Sequence, residues 1–257
     1  MKKMLLFLAV AATTLTSCLD TVEEFTIAAD GSGTYHSTID MSGMMEMMET
    51  MAAMDNSGNN DFSKISDKDV DSSIHLAPFV DTASDLTAEQ KRLFRDAEMS
   101  VKINKKEKIF KMGMLYPFKS LEDVNRIIAL SAEGKGVGMH NKSNKANNPM
   151  AAMGDDGKMP AGSDYFIVTF KDGLVERKID EKKLAEFKSN PEMQQMPEME
   201  GMLEGISYKT VFKLPRPVKN IVGEKVVLSE DKKTATIKST LADLINNPGD
   251  LAFKIEY

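Results

Sequence analysis

The sequence predicts an α+β fold with a largely antiparallel sheet, built from repeated β-hairpin–helix units and carrying one long mobile loop. Three observations predict it. Apolar and polar residues alternate in short runs that meet at Gly, Asn or Asp turns, the period-two signature of half-buried strands. Short amphipathic segments with Ser, Thr or Asp at their starts follow those hairpins, as helices with N-caps do. Nowhere do strands alternate with long helices, as a doubly wound parallel sheet requires.

The first unit pairs Phe25-Thr26-Ile27 with a return strand carrying Tyr35, Ser37, Ile39 and Met41, around the turn Asp30-Gly31-Ser32-Gly33. A helix is expected from about Ser42 to Met54. In the second unit Met99, Val101 and Ile103 alternate, Asn104 to Glu107 turns, and Phe110, Met112, Met114, Tyr116 and Phe118 line one face. Ser120-Leu121-Glu122-Asp123 reads as a capping box for a helix with Val124, Ile127 and Ile128 on one side and Gly134 as its stop. The third unit runs from Tyr165 to Ile179 through Asp172-Gly173, with Asp180 capping a short helix that carries Leu184 and Phe187.

The C-terminal segment carries the strongest β signal. Ile206, Tyr208, Phe212 and Leu214 share one parity, and Pro215 ends the run. Val226–Leu228 and Thr234–Lys238 form a further hairpin, and Thr240 caps a helix that stops before Pro248. Leu251, Phe253, Ile255 and Tyr257 then alternate to the last residue, which places the C-terminus in a sheet. Asp55 to Lys64 and the Gly/Asn-rich stretch 134–163 read as loops. Residues 22–257 are expected to form a single domain, with 22–132 and 164–257 as possible subdomains either side of the long loop.

The 257-residue chain carries 33 Lys+Arg against 39 Asp+Glu, a net charge of −6. That excludes a general nucleic-acid binder, which needs clustered cations. The one sustained apolar run, Met4 to Leu15, is too short to span a bilayer and follows the cationic Met1-Lys2-Lys3, the layout of a secretory signal.

Leu15-Thr16-Ser17-Cys18 follows at once and resembles the bacterial lipobox, with Leu15 and Ser17 in the signal-peptidase recognition positions. The resemblance implies cleavage before Cys18 and acylation of that cysteine, so that residues 1–17 are a leader and 18–21 an acylated tether. Two or more acyl chains anchor stably where one does not. Cys18 is the sole cysteine, so no internal disulfide forms. Leu19 after the cysteine resembles the pattern of lipoproteins released to the outer membrane of two-membrane bacteria, facing the periplasm or the cell surface.

The lipobox, the hairpin Asp30-Gly31-Ser32-Gly33-Thr34-Tyr35, the exit Ile39-Asp40-Met41-Ser42 and the Met-rich segment after it resemble bacterial envelope lipoproteins with the LppM-type domain. Phe212-Lys213-Leu214-Pro215-Arg216-Pro217-Val218-Lys219, the Lys232-Lys233-Thr234 turn and the aromatic last strand extend the match. The resemblance implies an anchored, mixed α/β envelope domain of largely unassigned function that contacts lipid or other envelope components. The chain as a whole is expected to be a non-enzymatic binding or assembly module contacting lipid or envelope proteins.

Twenty methionines beside no tryptophan are the oddity of the composition. Met41, Met44, Met48 and Met51 fall at helical spacing. They serve either as a stripe buried against the sheet or as an adaptable face for acyl chains or a partner. Met193, Met196, Met199 and Met202 recur every third residue, and with His140 they form the alternative reading, a Cu(I) site of soft thioethers. Catalytic chemistry is not expected, nor is a cofactor. The sequence holds no Gly-x-Ser-x-Gly elbow, no His-Glu-x-x-His helix and no Walker loop, and Gly134, Gly136 and Gly138 precede no helical pattern. Asp20-Thr21-Val22 and Asp81-Thr82-Ala83 resemble a bacterial O-glycosylation acceptor, although each also reads as an ordinary polar stretch.

Overall fold

The computed structural model describes residues 19–43, 69–133, 135, 165–189 and 205–257. Residues 1–18, most of the Met-rich segment after Gly43, the Gly/Asn-rich stretch and the methionines from Met193 to Met202 lie outside the described residues.

Among the described residues twelve strands form two sheets. The larger has eight, in the order β10 (Val226–Leu228), β11 (Thr234–Thr240), β8 (Ile206–Lys213), β1 (Leu19–Ile27), β2 (Gly33–Asp40), β5 (Ile109–Phe118), β4 (Glu98–Asn104) and β3 (Val70–His75). The smaller has four, in the order β6 (Phe166–Lys171), β7 (Leu174–Ile179), β12 (Phe253–Glu256) and β9 (Asn220–Val222). Every pairing is antiparallel except β1 with β8. Residues 22–132 and 164–257 are therefore joined in one sheet, because β8 and β11 extend the sheet that β1 begins.

The hairpins form where the turn chemistry places them. At the β1–β2 turn Gly31 takes φ +83°, a region a side chain disfavours, and the Asp30 carboxylate accepts from the Ser32 amide at 3.0 Å. Five α-helices among the described residues fill the connections: α1 (Ala77–Thr82), α2 (Ala88–Phe94), α3 (Leu121–Ala132), α4 (Glu181–Ser189) and α5 (Leu241–Asn246). Thr240 and Asp243 make a reciprocal capping box at α5. At α3 only half of the expected box forms. Ser120 Oγ accepts from the Asp123 amide, whereas the Asp123 carboxylate reaches back to the amide of Lys119.

One face of the large sheet is covered by the small sheet and by α1, α2 and α3. Tyr116, Tyr35, Phe25 and Phe212 are cross-strand partners on β5, β2, β1 and β8, so their rings form a ladder across four strands. Phe25 stacks 4.5 Å from Tyr35 and 5.3 Å from Phe212, and Phe170 of the small sheet closes on Phe25 at 5.0 Å. Each such ring pair contributes roughly 0.5–1.5 kcal/mol beyond the area it buries. Val80, Phe94, Val124 and Ile127, all 0% exposed, seal the helical side of this core.

At the other end of the same face Leu19, Met41, Ile103 and Phe110 form a separate buried cluster. This corrects the expectation of a tether through residue 21. β1 starts at Leu19, which is 1% exposed and pairs with Ile206, so the chain is strand from the first residue after Cys18. A buried apolar side chain with backbone partners on both sides leaves no free spacer there.

Candidate functional site

The opposite face of the large sheet carries the site. Even-numbered residues of β1, β2 and β11 and odd-numbered residues of β5 and β8 point there because side chains alternate across a strand. Near the Leu19 end they line an open trough of about 630 Å³. Its outermost row runs across five strands as Lys111, Asp40, Asp20, Ser207 and Thr240, each the cross-strand partner of the next. The next row inward is Thr38, Val22, Lys209 and Lys238. Asp243 of α5 closes one end.

Two like-charged pairs therefore lie directly opposite each other in register: Asp20 with Asp40, and Lys209 with Lys238. Such pairs are destabilising unless compensated. The acidic pair is compensated. Lys111 Nζ sits 2.8 Å from Asp40, the Ser42 amide donates to Asp40 at 3.0 Å, and Ser207 Oγ donates to Asp20. Although burial pushes the Asp40 carboxyl up, the hydrogen bonds from Lys111 and Ser42 outweigh it and hold the group below the usual carboxylate range. Asp243 behaves alike: burial raises it, but Lys225 at 2.6 Å and the Thr240 amide bring it below its ordinary value. The basic pair is not compensated. Neither Lys209 nor Lys238 has an acid within ion-pair distance among the described residues.

Between the sheets lies a second polar feature. Arg177 of β7 is sandwiched between Phe166 and Phe253, its guanidinium carbon 4.8 and 4.9 Å from the ring centres, and Nε donates to the Leu251 carbonyl at 2.6 Å. Its Nη2 nitrogen is buried with no partner among the described residues. Burial pulls this guanidinium down to about 10, against the opposing pull of the Glu23 charge. Glu23 itself accepts from the Tyr35 hydroxyl at 2.7 Å.

The residues singled out from sequence distribute as follows. Met41 is 2% exposed in the cluster with Leu19, so burial removes it from any accessible methionine face. Met44, Met48, Met51, Met193, Met196, Met199, Met202, His140, Leu15, Ser17 and Cys18 lie outside the described residues. His36 stands on the trough face with Nε2 3.4 Å from Thr38 Oγ1, while its cross-strand neighbour Glu24 is held by Lys213 at 2.6 Å. His75 lies at the end of β3 against Glu98. Thr82 is exposed at the end of α1 and donates to the Pro78 carbonyl, whereas Thr21 is half-buried on the covered face. Among the described residues no His, Cys, Asp and Glu group as a metal cluster, and no helix is long and apolar enough to cross a membrane.

Sequence reasoning missed the trough. Its charges belong to no local motif, and the pairing of Asp20 with Ser207 joins positions 187 residues apart.

No family model and no curated protein matches the chain. Among solved structures it is similar to the folded domain of LppM from Mycobacterium tuberculosis, determined by NMR, with 10% identity and a TM-score of 0.35 over 94% of this chain and 91% of that one.

Proposed function

We propose that this chain is a lipid-anchored bacterial envelope lipoprotein, a non-enzymatic binding or assembly module whose trough meets its ligand or partner at the membrane surface. One observation carries the reading. β1 begins at Leu19, immediately after the lipobox cysteine, and the trough lies at that same end of the sheet. An acylated Cys18 then holds the trough next to the lipid headgroups with no intervening spacer. Apart from Val22, the side chains there are lysines, carboxylates and hydroxyl-bearing residues, which suit recognition of a polar group. The outer membrane of a two-membrane bacterium is the compartment that Leu19 after the cysteine favours.

The test is intact mass and fractionation of the protein made in a two-membrane bacterial host. The mass expected is that of residues 18–257 plus two or three acyl chains, recovered with outer membranes. A soluble protein of unmodified mass would overturn the anchor, and Cys18→Ala gives the unacylated reference.

A further inference from the structure

We propose that Lys209 and Lys238 form a binding site for the phosphate of a hydroxylated phosphoester, of which phosphoglycerol is the simplest. The inference deepens the membrane-surface reading above, but only its lipid source rests on that reading. The site's own argument is local charge balance. Lysines 111, 213 and 225 around the trough each hold a carboxylate, at 2.8, 2.6 and 2.6 Å. Lys209 and Lys238 face each other across β8 and β11, both exposed and both without one among the described residues. Cross-strand partners bring Cβ atoms to about 5 Å, a span that two flexible ammonium groups close around one tetrahedral anion.

The two hydroxyls beside the lysines are already engaged with carboxylates. Ser207 has spent its proton on Asp20. Thr240 Oγ1 accepts from the Asp243 amide, and its hydroxyl hydrogen-bonds the Asp243 carboxylate. The phosphate therefore takes two ammonium groups, in charge-assisted bonds stronger than neutral ones. Asp20, one strand from Lys209 and without a cation among the described residues, accepts from a hydroxyl on the alcohol portion. A second anion in its place would be repelled, which selects a phosphoester with a neutral hydroxylated tail.

Reductive methylation of lysines, read by peptide mass spectrometry on the acylated protein in maltoside micelles, tests this. The probes are glycerol 3-phosphate in solution and phosphatidylglycerol in the micelle, each against sodium chloride at matched ionic strength. With probe about ten times above its Kd, Lys209 and Lys238 react about tenfold more slowly, while Lys213 is unchanged. Protection by both probes, or by the soluble probe alone, supports the phosphoester site. Protection by the lipid alone supports it with the headgroup as source. In Lys209→Gln the protection of Lys238 is lost. Equal reactivity of both lysines with and without either probe overturns the site. An unacylated Cys18 in the same mass spectra, with protection by glycerol 3-phosphate retained, would overturn the anchor reading and leave the phosphate site standing.

Discussion

The Tyr35 hydroxyl donates to the Glu23 carboxylate at 2.7 Å from within the aromatic ladder, so a buried phenol holds a charge at the edge of the main core. Tyr35→Phe keeps the ring stack and removes the donor. Its expected cost is about 1–3 kcal/mol, the penalty for stranding a partly buried acceptor. Phe25→Ala removes the ring that Tyr35, Phe212 and Phe170 all touch, at an expected cost of about 3–5 kcal/mol. Urea unfolding of both variants gives the ranking, and a Phe25→Ala loss smaller than that of Tyr35→Phe would contradict it.

Alkaline pH probes the same ladder. Burial pushes Tyr116 up to about 12, and burial together with the Glu23 charge pushes Tyr35 well above its ordinary value. The folded state thus keeps phenol protons that the unfolded chain releases near pH 10. This stabilisation is complete below pH 10 and is lost as pH rises from 10 through 12, roughly 3 kcal/mol for Tyr116 alone. Tyrosinate absorbance is expected to appear for these two residues together with unfolding, and full ionisation within a folded protein would refute their burial.

Arg177 separates packing from charge. Arg177→Met keeps the filling between Phe166 and Phe253 and removes a desolvated cation with an unpartnered nitrogen, so its expected cost is below about 1 kcal/mol. Arg177→Ala opens a void between the rings and is expected to cost about 2–3 kcal/mol. Equal losses in the two variants would assign the residue an electrostatic role.

Local patterns made most strands legible. Tyr116 to Phe118, Phe212 to Leu214 and Phe253 to Tyr257 each announce a buried face by parity, and Asp30-Gly31 and Asp172-Gly173 announce their turns. Two features escaped for one physical reason. The parallel pairing of β1 with β8 and the assembly of two separate sheets depend on contacts between positions far apart in the chain, which no window of residues displays. β3 escaped because Asp71, Ser72 and Ser73 interrupt its apolar pattern, as an exposed edge strand permits. The trough escaped with the pairing, since Asp20, Lys209 and Lys238 are ordinary charged residues until the register sets them side by side.

The proposed anchor at Cys18 sets the Leu19 end of the large sheet nearest the membrane. Leu19 and Ile27 stand at opposite ends of β1, about 26 Å apart at the usual strand rise. NMR relaxation enhancement from headgroup-labelled nitroxide lipids, measured on the acylated protein in nanodiscs, distinguishes the two ends. Strong broadening is expected at the amides of Leu19, Asp40, Ser207, Lys209 and Lys238, and none at Gly31 and Ser32. Broadening confined to Gly31 and Ser32, or an even effect along β1, would contradict this orientation.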